Sequence, residues 1–358
     1  MEKRLLFITL ILLIFGLVVL SSAGIVEGQK KFGSAYYYLQ KQVVYGVLPG
    51  LLLFYLFSKI DYKFWRKVSL LVLFSSLLLM IMVFVPDIGI GLKGANRWVS
   101  IGGWSFQPAE ILKLALVIYL AAWFGSRDER VKSWSYSAAP FFIVLSFVGL
   151  LLAMQPDVGT LAVVVVTALG IYFAAGSSLK HIFVIIIIFI VAVAGLILVE
   201  PYRFNRIKTF LDPSLDQRGI SYQLNQSLIA IGSGGMFGNG FGDSTQKFGF
   251  LPEVVNDSIF AIVVEELGFI GAMVLLGLFV FLAHTLILIA KNISDKFGRL
   301  LVVGMSTWIV GQAFINIAAV SGLAPLTGIP LPFISHGGTA IIALLAGLGI
   351  ASNIAKRL

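Results

Sequence analysis

Asp257 stands where a polar, glycine-rich stretch gives way to an apolar run, in Leu251-Pro252-Glu253-Val254-Val255-Asn256-Asp257-Ser258-Ile259-Phe260. A carboxylate at such a junction either caps the helix that follows, an ordinary use of Asp worth about 1 kcal/mol, or takes a proton as a general base. Spacing alone leaves both open. Upstream, Glu200-Pro201-Tyr202-Arg203-Phe204-Asn205-Arg206 sets Arg203 and Arg206 three apart. On a helix that joins two guanidinium groups, a fit for a diphosphate or for anionic lipid headgroups. In Gln107-Pro108-Ala109-Glu110-Ile111-Leu112-Lys113 the proline opens a helix, where its missing N–H costs nothing. Glu110 and Lys113 then share a face, and ionisable groups inside an apolar run mark either function or a structural ion pair. Glu265-Glu266 lie 8–9 residues into the run that Asp257 opens, so at least one carboxylate must face a polar interior. Gly232-Ser233-Gly234-Gly235 and Gly238-Asn239-Gly240 give backbone room to turn tightly or to approach a ligand, without the strand–loop–helix context of a nucleotide site. Near the C-terminus, Pro330–Gly338 is a proline-bound loop in which His336, of three histidines, is the best placed for chemistry; a structural histidine is the plainer reading.

The elements that must position these groups are set by composition. Of 358 residues 59% are hydrophobic and 12% charged, with 37 glycines, 29 Phe and no cysteine. Soluble domains carry about 25% charged residues, so the fitting solvent is lipid; the aromatic content excludes disorder, and thiol chemistry is excluded outright. At about 20 apolar residues per crossing, ten spans are expected, at 5–25, 43–58, 68–86, 107–125, 138–154, 159–176, 181–199, 257–290, 298–323 and 334–355. The eighth, at roughly 51 Å, is too long for one crossing; it must extend above the membrane or bend near Gly268, Gly271 or Gly277. With a cytoplasmic N-terminus, fifteen Lys and Arg fall on inner segments and five on short outer ones, which orients both termini inward. The net charge of +9 is therefore mostly topological, and nucleic acid is not a partner. Leu5–Leu20 is long for a signal peptide and reads as an uncleaved first helix. The expectation is an all-α integral membrane protein, one polytopic domain over 1–358 with a large extracytoplasmic loop at 200–256. Within that loop Tyr222–Ile231 reads as an amphipathic stretch lying on the membrane.

Several motifs follow one another along the chain: Lys93-Gly94-Ala95-Asn96-Arg97-Trp98, Phe106-Gln107-Pro108-Ala109-Glu110, Gln155-Pro156-Asp157-Val158-Gly159-Thr160, Tyr222-Gln223 with Gln226-Ser227-Leu228, Gln246-Lys247, Leu251-Pro252-Glu253, Glu265-Glu266-Leu267-Gly268 and Pro330–Gly338. In kind and order they resemble the SEDS family (shape, elongation, division and sporulation), the FtsW/RodA group, nearly end to end. Glu200–Arg203 and Gly242–Lys247 look more like the division branch, FtsW; Gly328–Pro332 looks more like the elongation branch, RodA; the balance leans to FtsW. The resemblance implies polymerisation of peptidoglycan glycan strands from lipid II, on the outer face of the bacterial cytoplasmic (inner) membrane. It implies as partners the growing strand, membrane lipids, a class B penicillin-binding protein transpeptidase and other division or elongation membrane proteins.

It also implies that Asp257 is catalytic, with two departures. Val255-Asn256 replace the family's usual His-Thr and Ser258 its Phe; His336 stands where relatives commonly have Tyr. A ring at 336 that stacks on substrate would tune specificity, and one that packs would change nothing. Converting an α-linked lipid diphosphate into a β-1,4 product in one displacement needs a single general base for the acceptor 4-hydroxyl. It needs no carboxylate nucleophile and no acid for the leaving group, but diphosphate calls for positive charge. Asp257 is the base in this scheme. Arg97, Lys113, Arg203 and Arg206 are the candidate cations, with Glu110 holding Lys113, and Trp98, Asp157, Glu253, Ser335 and His336 complete the substrate-binding candidates. No cofactor or metal cage is evident; a divalent cation, Mg or Mn, on the diphosphate would be held jointly by carboxylate and substrate. The rival class is a lipid II flippase, whose polar path should reach the inner face, often through an inverted repeat; the sequence carries no such repeat. A scaffold for division proteins would leave Asp257 as a cap.

Overall fold

In hydrocarbon a helix is the one open segment that satisfies all its own backbone groups, so long apolar runs become helices. The computed structural model of the chain describes residues 1–92, 95–126, 139–199, 201–212, 214–215 and 219–358. In order these residues form α1 (Glu2–Ala23), α2 (Ile25–Phe32), α3 (Tyr37–Lys59), α4 (Tyr62–Met82), β1 (Gly89–Leu92), β2 (Ala95–Ile101), β3 (Trp104–Phe106), α5 (Pro108–Gly125), α6 (Ala139–Met154), α7 (Val158–Ala174), α8 (Leu179–Val199), α9 (Pro201–Leu211), α10 (Tyr222–Ser233), α11 (Ile259–Asn292), α12 (Lys296–Val320) and α13 (Gly338–Ala355). Ten of these helices, all but α2, α9 and α10, coincide with the ten expected spans. Lys93, Gly94, Glu200, Arg218 and the basic 127–138 segment lie outside the described residues, as does the side chain of Arg203.

Local chemistry sets the ends. Asp61, Asp157 and Asp295 cap α4, α7 and α12, accepting from Lys63 N at 2.9 Å, Thr160 N at 3.1 Å and Gly298 N at 2.9 Å. Pro49 falls inside α3, where proline clashes with the carbonyl four residues back; a π-helical turn at Val43–Val47 just before it takes up the mismatch. The last helix starts at Gly338 and not at 334, because Gly337 has an extended backbone (φ 172°, ψ 92°) that no helix includes.

The all-α expectation omits a small sheet. β1, β2 and β3 pair antiparallel in that order, Ile101 facing Trp104 across Gly102-Gly103. Both glycines have positive φ, 60° and 84°, as a two-residue hairpin loop of the primed type requires.

The buried apolar side chains form one cluster from Leu5 to Ala355. α5, α12 and α13 form its centre, with most of their residues buried, and α3 and α4 leave most of theirs facing outward. The sheet, the 155–157 turn, the 234–258 loop and the 324–337 loop gather at one end. At the other, Arg357 pairs with Asp61 at 3.0 Å and Lys356 with Glu2 at 3.3 Å.

The long α11 bends where one of the three candidate glycines stands. Gly268 has φ 68°, ψ −171°, a conformation essentially restricted to glycine. Below it, Phe269–Asn292 is roughly 36 Å long, enough to cross about 30 Å of hydrocarbon unaided.

Candidate active site

Helix α11 begins at Ile259, and its N-cap position is Ser258, whose side chain makes no capping bond. The N-cap position open to Asp257 from sequence is therefore taken by Ser258. Asp257 is 8% exposed, in the turn just before the helix. The amide of Gln223, from α10, donates to Ser258 Oγ at 3.0 Å and to Asp257 Oδ2 at 3.3 Å. Arg206, on α9, donates to Leu326 O at 2.6 Å. Gly328 stands between them with φ 71°; a methyl group built there would lie 3.6 Å from an Arg206 guanidinium nitrogen and 3.9 Å from Asp257 Oδ2. A carboxylate and a guanidinium thus converge on one turn of the 324–337 loop. Arg203 is one turn earlier on the same helix, as the spacing anticipated.

The loops carrying Asp257 and Gly328 are sewn together. Ser335 Oγ donates to Asn256 O at 2.6 Å and His336 N to Val255 O at 2.8 Å. The Ser335 hydroxyl is thus used to join the loops. The His336 ring packs edge-on against Tyr38, centroids 5.1 Å apart, and burial holds its pKa down to about 4, an effect that Glu27 partly opposes. Glu253, with φ 55°, accepts from Asn256 Nδ2 at 2.6 Å and shapes the turn before Asp257.

Glu110 and Lys113 form a buried ion pair of 2.8 Å, each side chain 3% exposed. Lys113 Nζ also donates to Gln312 Oε1 at 2.7 Å and lies 5.5 Å from the Trp308 ring centroid. Gln312 donates to Pro330 O at 2.8 Å. The pair therefore sits beneath the 324–337 loop and braces it, and Glu110 lines a small cavity with Gln312, Pro330 and Ser335. Arg97 donates to Gln155 O at 3.1 Å and to Pro156 O, and lies 4.0 Å from Asp157. Asp157 in turn caps α7 and takes the Thr160 hydroxyl at 2.9 Å. These contacts fasten the sheet to the 155–157 turn; Trp98 is in β2 opposite Ile90.

Glu265 and Glu266 find partners within the chain. Glu265 accepts from Thr245 N at 2.8 Å, Gln246 N at 3.2 Å and the Ser244 hydroxyl. Glu266 pairs with buried Lys247 at 2.8 Å and accepts from Ser22, on α1, at 2.6 Å. The glycine-rich run approaches this same place. Asn239 N and Gly240 N donate to Glu265 O and Glu266 O, while Phe269 N and Ile270 N donate to Gly235 O and Met236 O. A side chain at Gly234 or Gly238 would run into the α11 backbone. The ligand this run was built to approach is the broken helix. α10, read as lying on the membrane, buries Leu224, Ser227 and Ala230 and packs across α11.

Sequence reasoning passed over Gln223, Gln312, Asn316 and Gly328 as site residues. Gln312 and Asn316 had a signal: two amides four apart in an otherwise apolar helix, where polar side chains are expected to bind across helices. Among the described residues no three His, Asp or Glu side chains converge to hold a metal ion.

Residues 3–358 match the family model FtsW/RodA/SpoVE, described as cell cycle protein. The chain is 36% identical over 355 residues to stage V sporulation protein E of Bacillus subtilis, covering 99% of this chain and 97% of that one. It is 37% identical over 344 residues to a probable peptidoglycan glycosyltransferase FtsW of Trichlorobacter lovleyi, covering 96% and 90%. Its fold matches a chain solved in a peptidoglycan synthase complex that coordinates polymerisation and crosslinking, with TM-score 0.80, 27% identity and coverage of 99% and 97%. It also matches rod shape determining protein RodA of Thermus thermophilus, with TM-score 0.71, 28% identity and coverage of 99% and 96%.

Proposed function

The chain belongs to the FtsW/RodA/SpoVE family, and from that premise we propose that it is a peptidoglycan glycosyltransferase polymerising lipid II with Asp257 as its general base. The observation that carries the role of Asp257 is the convergence at Gly328: a buried carboxylate one residue ahead of the N-cap, and a guanidinium anchored across the same turn. The reaction forms a bond from the donor C1 to the acceptor O4 and breaks the bond from C1 to the diphosphate. Asp257 takes the 4-hydroxyl proton as that bond forms. Arg206, with Arg203 one turn away, meets the charge that builds on the departing diphosphate. The acceptor and the diphosphate lie on opposite sides of the reacting carbon, which suits a base and a cation facing each other across a turn. Glu110 and Lys113 brace the loop that presents Gly328 and Leu326.

The excess of basic residues on the opposite end of the bundle supports an extracytoplasmic site in the cytoplasmic membrane, where the lipid tail stays in the bilayer and the headgroup reaches the loops. The crosslinking partner is a class B penicillin-binding protein, a reading supported by the fold match to a synthase complex. The test is glycan polymer read on a gel from purified full-length protein, lipid II and the partner, with wild type beside Asp257→Asn. Polymer from wild type and none from folded Asp257→Asn is expected. Polymer from both removes Asp257 from catalysis, and none from wild type favours lipid transport.

A further inference from the structure

We propose that Asn316 is a positioning residue for this reaction, holding Asp257 at its working distance from Arg206; the inference rests on the reading of Asp257 as the base. Asn316 is on α12 and 1% exposed. Its Nδ2 donates one hydrogen to Asp257 O at 2.9 Å and the other to Ile329 O at 2.8 Å. Of the side-chain and backbone groups that sew the two loops together, Ser335 and His336 reach residues before Asp257, whereas Asn316 reaches Asp257 itself. Its other bond is to the residue after Gly328, the turn on which Asp257 and Arg206 converge. One side chain therefore spans the two halves of the site.

The amide is locked in this sense, because both neighbours are carbonyl oxygens and a flipped amide would set oxygen against oxygen. Asn316 Oδ1 is consequently buried with no partner among the described residues, an arrangement that is costly. An apolar side chain of similar size would fill the space without that penalty. What an amide supplies here, and an apolar group cannot, is two donors aimed at the backbone on either side of the site. The mount is stiff as well: one turn away on α12, Gln312 donates to Pro330 O, and Gln312 is itself held by Lys113 and by Trp308 Nε1 at 3.2 Å. The buried ion pair thus bears on the site through Gln312 and the loop.

The experiment measures lipid II polymerisation by wild type, Asp257→Asn, Asn316→Ala and Asn316→Ser, each as the full chain in detergent with its crosslinking partner, normalised to folded protein. Asn316→Ala is expected to lower kcat about 100-fold, the scale of a displacement of about 1 Å in an active site, with KM unchanged. The acid limb of its pH–rate profile moves to higher pH as Asp257 relaxes out of the field of Arg206. Asn316→Ser, which keeps one donor, falls between; if Asn316→Ala does not fold, the same readouts are taken from Asn316→Ser alone. Wild-type kcat in the variants overturns the proposal. So does a raised KM at unchanged kcat, which means substrate contact, and so does a lowered kcat with an unmoved pH profile, which means lost packing. Full activity in Asp257→Asn sinks the parent reading, and this one with it.

Discussion

Asp257 and the Glu265-Glu266 pair are buried acids about two turns apart at the same helix entry, and they are held in opposite ways. The glutamates are held through their carboxylates, which take two backbone N–H groups, two hydroxyls and an ammonium. Asp257 is held through its main chain, by Asn316 at 2.9 Å, while Gln223 approaches its carboxylate at 3.3 Å and Arg206 faces it across Gly328. Donors that surround a carboxylate in this way tie it to the elements that supply them. Asn316 fixes Asp257 by its backbone and so holds its place independently of what its carboxylate oxygens meet. The glutamates are fasteners, and Asp257 is a reagent.

Substitutions that separate rate from stability test this contrast most directly. Asp257→Asn keeps the size and the main-chain anchor; it should lower polymerisation by about 10³-fold, within the usual range for a general base, with an unchanged melting temperature in detergent. Lys247→Met should do the reverse. It strands Glu266 in the interior and is expected to destabilise by about 3–5 kcal/mol, read as a lowered melting temperature, with kcat per folded molecule preserved. A Lys247→Met protein that is stable but inactive would break the contrast. Gly268→Ala is expected to destabilise by about 1–3 kcal/mol for its backbone conformation alone, and by more because its side chain would enter the 236–238 backbone; susceptibility of the 234–250 loop to protease is the readout.

The smallest effect is at His336. Burial depresses its pKa from 6.5 to about 4, so the unfolded chain takes up the proton first. Stability should therefore rise with pH across that window and be lost on acidification through it. His336→Tyr should flatten this slope and change stability at neutral pH by less than about 1 kcal/mol. A wild-type slope that persists in His336→Tyr would assign it to another group.

The ten spans were legible because hydropathy and length decide helices in lipid, and the bend at Gly268 was among the places that an over-long run allowed. The small sheet was written in Gly102-Gly103, a hairpin signal overlooked beside the stronger apolar runs. The roles of the acids were not legible. Asp257 and Glu266 differ in partners that lie far away in sequence: Arg206, Gly328 and Asn316 for one, Ser22 and Lys247 for the other. Capping was the local expectation for Asp257, and a one-residue shift of the helix start to Ile259 removed it. The Gly232–Gly240 run could be read as room for a backbone approach, but which backbone approaches is a property of the fold.

The sealed break in α11 also ties the shape of the helix to a segment that precedes it in the chain. Residues 235–240 leave the ribosome before Gly268, yet they supply the partners for Glu265 O, Glu266 O, Phe269 N and Ile270 N. Without that segment the same four groups would pair with one another in an unbroken helix, Phe269 N with Glu265 O and Ile270 N with Glu266 O, at the ordinary spacing of four residues. Phe269–Asn292 can be threaded across the bilayer at once. The joint beside Asp257 therefore takes its bent form only where the 235–240 segment lies against α11, so the shape of this helix is set by a loop from outside it.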